Sequence, residues 1–249
     1  MTKTSSQQLC LYGLLLLGAN WGLGFLSYFF TGTTYYVIKT GLLACIFYLV
    51  GHHFLHLTMP LKARIGVGEQ LRVNWINFVY LFLVCIPLLV FGLVEHLNYL
   101  PVALITALGA GFVEEYICRG ILLQIAFKDG LHSYKNVLQA VLLSSLVFGL
   151  AHLGNLRTQP LDVTLFQVYY AMAMGIYFSA VVIRTRSLWW TIFIHFMIDF
   201  AAILATAGTD STSKPRLVPF LIWLFVTVIA FILIRPKQIQ RLIDKQIWP

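Results

Sequence analysis

Glu114, Glu115 and Arg119 stand inside an apolar run of the sequence. On a helix Glu115 and Arg119, four residues apart, share a face and form an ion pair. The 3.6-residue period turns Glu114 about 100° away from Glu115, and no cation lies three or four residues from it. One carboxylate therefore reads as structural and the other as available for chemistry. Ala103, Ala107 and Gly111 lie on the Glu115 stripe, and small residues at this spacing let a second helix approach and cover the pair. A second run ends in Phe148-Gly149-Leu150-Ala151-His152, with Ser144, Phe148 and His152 on one face. A third carries His195 and Asp199, again four apart and flanked by Leu188-Trp189-Trp190 and Phe200-Ala201-Ala202. Carboxylates and imidazoles are the groups of general acid–base chemistry and of oxyanion stabilisation. Each stretch alone also has a plain structural explanation: an ion pair that fixes packing, an interfacial histidine, a His–Asp bond that glues helices. Convergence of all three on one wet pocket satisfies every group at once.

The elements that must position these residues are membrane helices. The chain has 249 residues, 59% hydrophobic and 10% charged, with mean hydropathy +0.83; a soluble domain carries roughly 25% charged residues. The expected fold is all-α, a polytopic transmembrane helical bundle of about eight spans forming one domain over residues 1–249, with its motif core at 101–207. With about 20 apolar residues needed per crossing, the spans fall near 9–30, 36–57, 75–94, 101–127, 137–153, 165–183, 188–207 and 218–234, and Lys39 interrupts the start of the second. The runs are long and continuous, without the period-two alternation of a membrane strand. Each charge at a helix centre costs roughly 2.5–3.5 kcal/mol, so Glu114, Glu115 and Arg119 unpaired would cost on the order of 8–10 kcal/mol.

The formal charge of +8 sits in short clusters between apolar runs, which argues against a nucleic-acid partner and for an orienting role. Lys3, Lys62, Arg64, Arg72, Lys128, Lys135, Arg184, Arg186, Arg235, Lys237, Arg241 and Lys245 fall on one side, against Arg157, Lys214 and Arg216 on the other. The positive-inside rule then places both termini in the cytoplasm. Cys10, Cys45, Cys85 and Cys118 lack CxxC spacing and read as small buried hydrophobes. The first apolar run is long enough to span and is followed by no clear cleavage site, unlike a signal peptide.

Glu114-Glu115-Tyr116-Ile117-Cys118-Arg119 resembles the EExxxR motif of the CAAX-processing endopeptidase and Abi (CPBP) family. Phe148 to His152 is similar to its FxxxH motif, and His195 to Asp199 to its HxxxN or HxxxD motif, in the family's order. The resemblance implies peptide-bond hydrolysis sunk in the membrane. Glu114 would be the general base, His152 would help to hold the water, and His195 with residue 199 would stabilise the oxyanion. Arg119 would anchor Glu115. Asp199 departs from the family members that carry Asn, since an ionised carboxylate cannot donate to an oxyanion; the alternative is that Asp199 orients His195. His152 also falls near the end of its span, whereas Glu114 and His195 lie nearer mid-membrane.

Three readings compete. A zinc protease could use Glu114, His152 and His195, although HExxH is missing and His52, His53 and His56 read as interfacial. A proton-coupled transporter or a non-catalytic immunity or scaffold protein could use the same buried groups, but no repeat or broken-helix pair is visible. The favoured reading is an intramembrane protease without a cofactor. Its partners are the bilayer and a protein or peptide substrate, lipidated or not, and its place is the plasma membrane of a prokaryote.

Overall fold

Helices make up the regular structure, and no strand occurs among the described residues of this computed structural model, which are 3–57, 59–127, 130–131, 133–208 and 214–248. Lys128 lies outside them. Six helices are long and apolar enough to cross a membrane: α1 (Gln7–Tyr28), α2 (Gly32–Phe54), α4 (Trp75–Glu95), α5 (Leu97–Ala126), α6 (Tyr134–Arg157) and α7 (Leu161–Thr185). A short α3 (Val67–Val73) precedes α4. Two further apolar helices follow, α8 (Trp189–Ala205) and α9 (Leu217–Leu233), and α9 bends by 43° into α10 (Pro236–Asp244). The eight expected spans thus correspond to six full crossings, one bent pair and one 17-residue helix. The chain is an integral, multi-pass membrane protein.

Packing centres on α7, where every residue from Ala173 to Thr185 is buried. Helices α1, α2, α4 and α9 instead expose large apolar side chains, among them Leu14, Phe54, Leu83, Val94 and Leu217. In lipid those side chains need no protein cover. Cys85 and Cys118 are buried as expected, whereas Cys10 and Cys45 are exposed. An apolar residue on a lipid-facing stripe and one in the core look the same in sequence. His52 and His53 are exposed at the end of α2, with their rings 5.1 Å apart.

The turn from α7 to α8 sets the height of the site. Arg186 takes a left-handed conformation (φ 55°), and the Ser187 amide donates to Thr185 Oγ1 at 3.1 Å. Ser187 Oγ donates to the Leu61 carbonyl at 3.0 Å, and the Leu188 amide to the Pro60 carbonyl at 2.9 Å. Helix α8 therefore starts at a fixed place beside the 59–65 segment. Two glycines then seat it. A methyl group on Gly111 would lie 2.8 Å from the Phe196 amide nitrogen, and one on Gly92 would lie 2.9 Å from the Ala205 amide nitrogen. Ala103 and Ala107 are fully buried on the same side, so the small-residue stripe does admit a close neighbour, and that neighbour is α8.

Three helices contain turns wider than those of an α-helix: α2 at Val50–Phe54, α4 and α5. In α4 the wide turn, Leu81–Cys85, comes just before Pro87, whose ring would clash with the carbonyl four residues back. In α5 it covers Ala110–Glu114 and Tyr116–Leu122, the stretch that carries Glu114, Glu115 and Arg119. Such wide turns are rare and concentrate at functional sites; the regular period expected from sequence does not hold there. Helix α6 continues as a tighter 3₁₀ stretch from His152 to Arg157, so His152 lies five residues inside the end of its span.

Gly92→Ala and Gly111→Ala are each expected to destabilise the protein by about 1–3 kcal/mol, because backbone must move. Gly18→Ala, with open space around its added methyl, is expected to be neutral or to gain up to about 1 kcal/mol of helix propensity. Thermal unfolding in detergent checks all three.

Candidate active site

Glu115 and Arg119 form the floor of the site. Arg119 Nη1 donates to Glu115 Oε1 at 2.7 Å, and their side chains are 1% and 0% exposed. The same oxygen accepts from His195 Nδ1–H at 3.0 Å, across 80 residues of sequence. That bond fixes the ring of His195 and leaves its Nε2 pointing the other way. There it faces Asp199 Oδ2 at 3.6 Å and Glu114 Oε2 at 3.9 Å.

The consecutive glutamates thus occupy opposite environments. Glu115 is sealed, while the Glu114 side chain is 37% exposed and that of Asp199 30%. Glu114 and Asp199 flank the open side of the imidazole, with the ion pair beneath. The contact that orients His195 comes from Glu115, not from Asp199, which stands at the other nitrogen.

Aromatic rings hold the floor in place. The Arg119 guanidinium lies over the Phe148 ring at 4.4 Å and near the Phe178 ring at 5.7 Å. A desolvated cation over an aromatic face gains roughly 2 kcal/mol. Phe148 also meets His195 edge-on at 6.1 Å and His152 at 5.1 Å, and Phe178 meets His195 at 6.0 Å. His152 joins the site through Phe148 alone: its Nδ1–H donates to the Phe148 carbonyl at 2.9 Å. Ser144 faces its own helix, donating to the Val141 carbonyl at 3.2 Å. No group of three or more His, Cys, Asp or Glu is close enough to share a metal ion among the described residues; Glu114, His152 and His195 are not gathered into such a set.

Residues 96–201 match the family model described as type II CAAX prenyl endopeptidase Rce1-like. This stretch is similar to the Rce1-like family. The match runs from the start of α5 to just past Asp199 and takes in all three motifs. The matched stretch is similar to a family of membrane proteases, the one that the three motifs resemble. Comparison with curated proteins and with solved structures finds no match.

Within the matched stretch, the structure brings Glu114, Glu115, Arg119, His195 and Asp199 together and sets His152 one ring away. The roles of Phe148 and Phe178 are what sequence reasoning missed. Phe148 gave a signal, since it sits four residues before His152 on the same face; Phe178 gave none.

Arg119→Met leaves Glu115 as an uncompensated buried charge and is expected to cost about 3–5 kcal/mol. Glu115→Gln combined with Arg119→Met is expected to cost less than the sum of the two single changes. Unfolding midpoints of the four proteins of the cycle give the coupling.

Proposed function

We propose that the chain is an intramembrane endopeptidase in which Glu114 activates the attacking water. The observation that carries this reading is the contrast between neighbours: Glu115 is buried and paired, whereas Glu114 is part-exposed beside His195 Nε2. A carboxylate with open access and an imidazole at hand is equipped to take a proton from water. His152 supports it. With Nδ1–H bonded to the Phe148 carbonyl, the other nitrogen keeps its lone pair and accepts a hydrogen from the same water.

In the reaction the water oxygen forms a bond to the peptide carbonyl carbon while Glu114 takes its proton. His195 acts as the imidazolium, which carries a proton on both nitrogens: Nδ1–H is held by Glu115 and Nε2–H donates to the oxyanion that develops, from a ring already oriented. Asp199, 3.6 Å from Nε2, offers the imidazolium a counter-charge in the resting site, and Nε2–H turns to the substrate carbonyl in the reaction. The intermediate collapses with cleavage of the C–N bond, and Glu114 returns its proton to the leaving amine. No step uses a cofactor.

The substrate on this reading is a membrane-associated or lipidated protein or peptide that reaches Glu114 from within the bilayer. Both termini lie in the cytoplasm of a prokaryotic cell. The clustering of Arg184 and Arg241 around Glu69 at one end of the bundle, at 3.0 and 3.9 Å, supports that orientation.

Protein termini mapped in membranes of cells carrying wild type or Glu114→Gln at matched expression test the proposal. New termini are expected with wild type alone, a loss of about 10²–10⁴-fold in cleavage, and cleavage is expected to persist in strong chelator. Identical termini in both strains would favour the transporter or scaffold reading.

A further inference from the structure

The mechanism above leaves one polar cavity without a task. Arg64, Arg241 and Lys245 line its volume of about 160 Å³, together with Glu69 and Gln238. One water takes about 30 Å³ of the liquid, so a group of several polar atoms fits.

The last turn of α7 holds both walls. On one side the Arg64 amide donates to the Thr185 carbonyl at 3.1 Å. On the other, α10 buries Ile239 and Leu242, and the segment after it is pinned by Trp248, whose Nε1–H donates to the Ile183 carbonyl at 3.0 Å. Arg184, between Ile183 and Thr185, has a side chain only 9% exposed. Its Nη1 donates to the Leu233 carbonyl at the end of α9 and its Nη2 to Glu69 Oε1, both at 3.0 Å. The cavity is therefore fixed by buried contacts on each side.

Its charge is unbalanced. Glu69 is the only carboxylate on the wall among the described residues, and its Oε1 already accepts from Arg184 and faces Arg241 at 3.9 Å. Arg64 and Lys245 have no ion-pair partner among the described residues. Gln238 Oε1 is buried there with no hydrogen-bond partner. Three cations and one open acceptor complement an anion that also carries a hydroxyl. A phosphate group has that chemistry: guanidinium forks match its oxygens, and a P–OH or a neighbouring alcohol supplies the hydrogen for Gln238. Height fits as well. Helix α7 has 25 residues, roughly 37 Å of length, which exceeds the roughly 30 Å hydrocarbon core. Its last turn thus reaches the headgroup level, where Lys and Arg meet the phosphates of anionic lipids.

We infer that this cavity binds a phosphate group through Arg64, Arg241 and Lys245. The phosphate comes from the headgroup of an anionic phospholipid or from free phosphate. Such a site is independent of what Glu114 does.

Two titrations of the whole protein in detergent separate the sources. Native mass spectrometry compares phosphatidylglycerol with phosphatidylcholine of the same chain length. One phosphatidylglycerol is expected to bind about tenfold or more tighter, because the same residues repel the choline cation. Inorganic phosphate is titrated separately, against chloride at equal ionic strength, and read as a rise in the unfolding midpoint. A lipid preference without that rise assigns the site to the headgroup; a rise without the preference assigns it to free phosphate; both together assign it to either. The combined change Arg64→Gln, Arg241→Gln and Lys245→Gln is expected to abolish whichever effect is seen. Lys62→Gln, Arg72→Gln and Lys237→Gln remove as many charges from outside the cavity wall and are expected to preserve it. Arg64→Gln with Lys245→Gln, which spares the Arg241–Glu69 contact, is expected to lose most of the effect and serves if the triple variant does not fold. Absence of both effects, or equal losses in the cavity and control variants, would overturn the inference.

Discussion

One carboxylate oxygen, Glu115 Oε1, accepts both from Arg119 at 2.7 Å and from His195 at 3.0 Å in a part of the bundle sealed from solvent. An isolated charge there would be costly to bury, and removing either partner leaves the other exposed to that cost. The contact therefore locks α5 to α8. Through the Arg119 guanidinium it also reaches Phe148 on α6 and Phe178 on α7. Four helices, three of which bring the motifs from distant parts of the chain, are thus fixed around one ion pair.

The pair also divides two adjacent glutamates into different kinds of group. Glu115 spends its hydrogen-bonding on the floor, and the wide winding of α5 turns Glu114 outward to the open face of His195. A rigid floor with an accessible carboxylate above it suits chemistry that needs one oriented imidazole and one mobile proton. The close approaches at Gly92 and Gly111 serve the same end, since they set the height of α8 and hence of His195 and Asp199.

Local relations were legible in the sequence because they follow from helical spacing. The Glu115–Arg119 pair, the shared face of His195 and Asp199, the small-residue stripe and the membrane class all come from residues a few positions apart. Relations across the chain were not. Nothing in the residue pattern tells that Glu115, rather than Asp199, orients His195, or that Phe178 lies near Arg119. The wide turns of α5 and the continuation of α6 past His152 also escape a reading that assumes one helical period.

The most direct test is the protonation of His195 in its two nitrogens, read from ¹⁵N spectra of histidine-labelled protein in detergent. The expected result is a proton on Nδ1, hydrogen-bonded to a carboxylate, in wild type and unchanged in Glu114→Gln, but lost or shifted in Glu115→Gln. A bare Nδ1 in wild type, or a signal that responds to Glu114→Gln and not to Glu115→Gln, would contradict the account of a buried Glu115 that orients the His195 imidazole.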